Sequence, residues 1–183
     1  AYRVKYLDVL MERISDKIYN SADSILISSN YFRNPIIKRL TTGKNLTFFP
    51  NWADNIFYEK LKNDSINQFT YPKGFNIVFA GTIGESQGFE DIVEAAKFTS
   101  NTPINWILIG DGRKRDWIKN QIEYFNITNI YLPGRYPLES MPLYFASADC
   151  LLITLKKDKV FSNTLPAKLQ PYLTSGKPIL GNL

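Results

Sequence analysis

An α/β fold, a Rossmann-like parallel sheet with helices on both faces, is what this sequence predicts, and three observations predict it. From Phe75 onward, short apolar runs alternate with longer amphipathic stretches, the pattern of parallel strands joined by crossover helices. The first of these runs, Phe75–Ala80, is rich in β-branched and aromatic residues, which suits a strand buried on both faces. The first four runs end in loops rich in glycine, polar or charged residues: Gly81 to Gly88, Gly110 to Arg113, Gly134 to Tyr136, and Lys156 to Thr164. Ligands in such sheets sit at the carboxyl ends of the strands. Four such loops on one edge therefore mark a binding site.

The elements follow in chain order. Val4, Leu7, Leu10, Met11, Ile14 and Ile18 lie on one side of an amphipathic helix over 4–20, with Lys5, Glu12, Asp16 and Lys17 elsewhere. A short strand is expected over Ser24–Ser28 and a second helix over Asn30–Leu40, with Pro35 inside it and Gly43 beyond its end. Leu46–Phe49 is another strand, stopped by Pro50-Asn51-Trp52-Ala53-Asp54. Residues 55–74 are polar and weakly periodic and are expected as linker or surface.

Phe75–Ala80 then opens the main sheet, and three glycines fall in the eight residues Gly81–Gly88. Phe89, Ile92, Val93 and Ala96 form the inner face of the helix that follows. Such a strand–loop–helix lets backbone N–H groups approach an anion at the helix N-terminus, or serves only as a tight turn. Ile104–Ile109, Asn129–Leu132, Cys150–Leu155 and Lys177–Leu180 are the further strands. Between them lie helices over Arg113–Phe125, with Trp117, Ile118, Ile122 and Phe125 inward, over Leu138–Ser147, and from a Thr164 cap to about Thr174.

At 183 residues the chain can bury one full core, or one domain and part of another. Its 44% hydrophobic and 21% charged content is that of a globular protein. The net charge of +5 is spread out, apart from Arg113-Lys114-Arg115 and Lys156-Lys157, so it draws no nucleic-acid stripe. It suits weak attraction to anionic lipid or to phosphorylated substrates. The lone Cys150 excludes an internal disulfide and points to a reducing, cytoplasmic compartment. With no histidine, the usual general base, the Ser-His triad and most zinc sites are gone. No apolar run spans a bilayer and no signal peptide opens the chain. It starts without Met inside a helical pattern and stops just after a strand, as expected of a piece of a longer protein.

Several stretches together resemble the donor-binding half of bacterial group 1 (family 4) glycosyltransferases of the GT-B fold, most of all the fucosamine-transferase-like branch of capsule and O-antigen assembly. They are Ala80–Gly88, Ile109–Arg113, Leu132–Pro137, Ala148–Cys150, Phe161–Leu169 and Tyr172–Pro178, with Pro50–Asp54 similar to the segment where these enzymes cross between domains. The resemblance implies retaining transfer of a sugar from a nucleotide diphosphate-sugar donor to a saccharide or lipid-linked acceptor. It implies no metal and no cofactor, and a cytoplasmic place with peripheral contact at the inner face of the membrane. Residues 1–50 would be the remnant of an N-terminal acceptor domain, 51–74 a linker, and 75–183 a truncated donor domain.

By position, the resemblance brings Gly81 and Gly84 to the diphosphate and makes Gly110, Asp111, Gly112 and Arg113 a wall of the nucleotide pocket. Arg135 and Tyr136 flank the base, and Asn163, Thr164 and Leu165 meet phosphates at a helix N-terminus. Lys168, one turn into that helix, is the cation for the leaving group. Thr82 and Gln87 stand where many members carry an Arg and a Lys. Asn163 and Pro171 stand where the paired glutamates fall, which leaves the ribose to Gln170 or Tyr172.

Three other readings compete. A dehydrogenase does not fit, because Gly81-x-x-Gly84-x-x-x-Gly88 is not G-x-G-x-x-G and no acidic residue ends a strand about 20 positions on. Nucleic-acid binding lacks its basic, aromatic-interleaved stripe. A non-catalytic nucleotide-binding module would use the same pocket.

Overall fold

The structure, a computed structural model, describes residues 2–58, 70–158 and 165–183. The chain forms two compact units, one of residues 1–51 with 163–165, the other of residues 52–162 with 166–183. Among the described residues no helix is long and apolar enough to cross a membrane.

In the first unit, α1 (Tyr2–Ser21) leads to β1 (Ser24–Ile27), a 3-10 turn Asn30–Phe32, α2 (Arg33–Ile37) and β2 (Asn45–Phe48). The two strands pair in parallel. Pro35 is tolerated because it falls in the first turn of α2, where its missing N–H has no helical partner to lose. Ile25, Ile27 and Ile36 make the buried cluster, with Tyr19, Ala22 and Phe32 packed against it. Only the last turn of α1 reaches that cluster. The expected inner face, Leu7, Leu10, Met11, Ile14 and Ile18, is exposed, because a two-stranded sheet is too small to cover five turns of helix.

The second unit holds β3 (Phe75–Ala80), α3 (Phe89–Phe98), β4 (Ile104–Ile109), α4 (Arg115–Phe125), β5 (Ile130–Gly134), α5 (Met141–Ser147), β6 (Cys150–Thr154), α6 (Leu169–Thr174) and β7 (Ile179–Asn182). All its strands are parallel, in the order β5-β4-β3-β6-β7. The first strand is thus central and the strand order reverses beside it. Side chains alternate across the sheet, so both faces need cover. Ile77, Phe79, Trp106, Leu108, Cys150 and Leu152 pack under α3 and α4. Val78, Ala80, Ile107, Ile109, Leu151 and Ile153 pack under α5 and α6. This accounts for apolar runs without alternation. Pro133 is accommodated because β5 is an edge strand whose register shifts opposite Ile107 and Ile109.

Phe89, Ile92, Val93 and Ala96 are all buried, the face expected of α3. Phe125 of α4 is not inward: it is 41% exposed, and Lys97 Nζ lies 3.9 Å from its ring centroid. Within the segment expected as linker, Phe57 stacks on Phe145 at 5.8 Å between centroids, and the Tyr71 hydroxyl donates to the Tyr144 carbonyl at 2.9 Å. Both aromatics belong to the α5 side of the core.

Candidate functional site

A cleft of about 540 Å³ opens at the carboxyl ends of β3, β4 and β5, on the α5–α6 face. That volume suits a ligand of nucleotide size. The pairing of β3 with β6 runs only through Ile77 and Val78, so the backbone N–H of Ala80 has no strand partner on that side. The Tyr172 hydroxyl accepts it at 2.9 Å. Burial pushes the Tyr172 hydroxyl well above the ordinary tyrosine range, and its ring packs edge-on against Phe145. A side chain of α6 thus closes the sheet where the strand order turns back, and the cleft lies above it.

The loop after β4 folds onto the loop after β3. Gly81 N–H donates to the Ile109 carbonyl at 3.0 Å and Ile83 N–H to the Asp111 carbonyl at 2.8 Å. Gly110, at φ +139, is required there, because an added Cβ would overlap the Gly81 carbonyl oxygen. Gly112 meets Ile83 in the same way. These glycines fit one backbone to another. Of the two, only Gly110 also borders the cleft.

Lys168 precedes α6 and lies across Gly81. A Cβ on Gly81 would come within 2.7 Å of Lys168 Cε and 3.0 Å of Nζ. The ammonium sits 4.7 Å from the Phe79 ring centroid and donates to Gln87 Oε1 at 3.4 Å. Among the described residues it has no carboxylate partner within salt-bridge distance. Burial holds its pKa below the ordinary lysine value of 10.5. Across the cleft are Asp111, whose carboxylate accepts the Gly112 N–H at 2.8 Å, Arg135 and Tyr136. Burial, and then Tyr144, push the Tyr136 hydroxyl upward.

Of the residues expected at the site, the cleft brings together Gly81, Thr82, Gly110, Asp111, Arg135, Tyr136 and Lys168. Gly84, Gln87, Gly112, Arg113 and Leu165 do not line it. Gly84 instead opens a 3-10 turn over Glu85–Gln87, while Arg113 and Leu165 are exposed. Asn163 and Thr164 lie outside the described residues. The last helix starts at Leu169 rather than beside Thr164, because Pro166–Lys168 turn before it. Lys168 therefore stands at the position just before α6, with no capping bond from its side chain, and not one turn inside the helix. Nor does α3 present its N-terminus to the cleft, which no α3 residue lines. That end carries Glu90 and Asp91 of its own. Of the two substitutes for a ribose contact, Tyr172 is engaged on Ala80, and Gln170 does not line the cleft.

Phe57, Leu138, Met141, Phe145 and Ala167 also line the cleft and were not anticipated. The helical spacing of Met141 and Phe145 was the available signal, but periodicity reports a buried face without saying what it borders.

The family model described as "Glycosyl transferases group 1" matches residues 62–182. WcaI of Escherichia coli, named as a glycosyl transferase of colanic acid biosynthesis, is 26% identical over 162 residues, covering 86% of this chain and 40% of WcaI. WbjE of Pseudomonas aeruginosa, named as a glycosyltransferase, is 26% identical over 174 residues, covering 93% of this chain and 43% of WbjE. Among solved structures, HepE of Anabaena, in complex with UDP and glucose, superimposes with a TM-score of 0.69 at 16% identity, over 93% of this chain and 47% of HepE. WaaG, a glycosyltransferase of lipopolysaccharide biosynthesis, gives 0.62 at 14% identity, over 85% of this chain and 43% of its own. These structures share the fold expected from the sequence. The chain spans less than half the length of these curated relatives.

Proposed function

The chain belongs to the group 1 glycosyl transferases, and from that premise we propose that it forms the donor-binding part of an enzyme of bacterial polysaccharide assembly. The enzyme moves a sugar from a nucleoside diphosphate-sugar to a saccharide or lipid-linked acceptor of a capsule or O-antigen, with retention at the anomeric carbon. Residues 1–50 are a remnant of the acceptor domain, 51–74 the passage between domains, and 75–183 the donor domain. HepE and WaaG support the architecture, and the UDP bound by HepE supports the ligand class.

One observation carries the reading: an ammonium without a carboxylate partner among the described residues, that of Lys168, lies over Gly81 at the edge of a nucleotide-sized cleft. As the glycosidic bond to the diphosphate breaks, negative charge grows on the leaving oxygens. A fixed cation in a site screened from water stabilises that charge most. The apolar wall of Phe57, Leu138, Met141 and Phe145, beside Arg135 and Tyr136, suits the flat face of a base.

Calorimetry with UDP and GDP tests this. Charged hydrogen bonds contribute about 1.5–3 kcal/mol, so Lys168→Ala weakens diphosphate binding roughly ten- to a hundredfold, at about 1.4 kcal/mol per tenfold. Lys177→Ala, before β7 at the opposite end of the sheet, leaves binding unchanged. Equal affinity of wild type and Lys168→Ala would refute the role of Lys168.

A further inference from the structure

We propose that Gln87 is a positioning residue, whose amide oxygen holds the Lys168 ammonium at the cleft without neutralising it. The proposal rests on the donor-site reading above. Gln87 does not line the cleft, so its influence on a ligand passes through Lys168. Its own place is fixed from two sides. Its N–H closes the 3-10 turn on the Gly84 carbonyl at 3.3 Å, and the neighbouring Ser86 carbonyl accepts the Lys156 N–H at 2.9 Å.

The neighbouring lysines are treated differently. Two residues before Gln87, Glu85 lies 3.3 Å from Lys156 Nζ and 3.5 Å from Lys114 Nζ. Glu90 completes those pairs at 3.7 Å and 2.6 Å. The same short segment therefore neutralises two lysines with carboxylates and gives the third an amide. An amide oxygen orients an ammonium while leaving its full charge for an incoming anion. At 3.4 Å the contact is long beside the about 2.7–2.9 Å of a fully formed charged hydrogen bond, so a phosphate oxygen competes for the ammonium easily.

Around Lys168 the packed elements present Phe79 from β3, Gly81 from the loop after it, Gln87 from the turn and Tyr172 from α6, with Asp111, Arg135 and Tyr136 across the cleft. Tyr172 and Tyr136 are pushed above the ordinary tyrosine value, and Glu85 and Glu90 are held by Lys114 and Lys156. Lys168, held below 10.5 by burial, is thus set to lose its proton before those tyrosines as pH rises. Diphosphate affinity is full below its pKa and falls as pH rises through it.

UDP and GDP are titrated into the 183-residue chain from about pH 7.5, above the phosphate's second ionisation near ~6, to about pH 10.5. Gln87→Glu places an anion against the ammonium. It weakens binding about tenfold at the lower pH and moves the alkaline fall upward by about one unit or more. Gln87→Leu removes the acceptor and moves the fall downward. Gln87→Asn keeps the amide but withdraws it, and follows the leucine variant; it stands in for that variant if leucine fails to fold. An alkaline fall unmoved in these variants, or moved the same way by glutamate and leucine, overturns the proposal. If wild type binds neither diphosphate, the donor-site reading itself fails. If wild type binds and Lys168→Ala binds equally, the donor site stands and the positioning role falls.

Discussion

Tyr172 concentrates much of the site's construction in one oxygen. The Ala80 N–H has no strand partner on the β6 side, and the Tyr172 hydroxyl accepts it from within the core. Leaving a buried donor unpaired costs about 1–3 kcal/mol, so Tyr172→Phe destabilises the fold by that amount in urea unfolding. Ring packing on Phe145 is retained, so a loss under about 0.5 kcal/mol would mean that water or a backbone shift satisfies Ala80. The sequence offered Tyr172 only as a ribose contact, because strand pairing near Ala80 is not visible in residue order. The Lys168 cation was legible, since it is the charged residue of a motif-like block. Its partner was not: Gln87 lies 81 residues away and reaches it only through the sheet.

Among the elements, α3 was the most legible, because Phe89, Ile92, Val93 and Ala96 carry a helical period that the sheet then buries. The start of α6 was not, because Pro166 permits either a first helical turn or the turn that forms. The N-terminus of α3 also differs in role from the anion site its loop suggested. It is the anchor of a four-residue ionic network in which Glu90 meets the buried Lys114 at 2.6 Å. Burial, the largest single cause, raises the Glu90 pKa, but the hydrogen bond from Lys114, a backbone hydrogen bond and the charges of Lys114 and Lys156 together outweigh it, and the net shift is downward. A depressed carboxylate contributes stability above its unfolded value near 4.5, lost as pH falls through the folded value below it. Glu90→Gln therefore flattens the acid limb of a stability–pH curve measured by urea unfolding between about pH 5 and pH 3. An acid limb as steep in Glu90→Gln as in wild type would assign it to other carboxylates. Lys114 works in the opposite sense. Its raised pKa, due first to the Glu90 hydrogen bond, keeps its contribution whole below 10.5 and lets it go at still higher pH.

At the scale of the whole molecule, each unit has buried apolar clusters of its own. Ile25, Ile27 and Ile36 form that of the first, while the two faces of the five-stranded sheet form those of the second. The alternation from Phe75 onward made the second unit readable in advance. The first was less so, because only a fraction of its apolar residues are buried, and hydrophobic period alone does not say what covers a face. Cooperativity follows contiguous cores, so the chain unfolds in two steps, and the sequence supplies a separate reporter for each. Trp52, Trp106 and Trp117 all lie in the second unit, whereas the 20-residue α1 belongs to the first. Tryptophan fluorescence then follows the second unit alone, and far-ultraviolet circular dichroism carries a further component from α1. A nucleoside diphosphate at a hundred times its dissociation constant adds about 2.7 kcal/mol to whatever binds it. With UDP or GDP present, the fluorescence transition moves to higher urea while the α1 component stays in place. Coincident transitions that shift together would mean that the two units unfold as one.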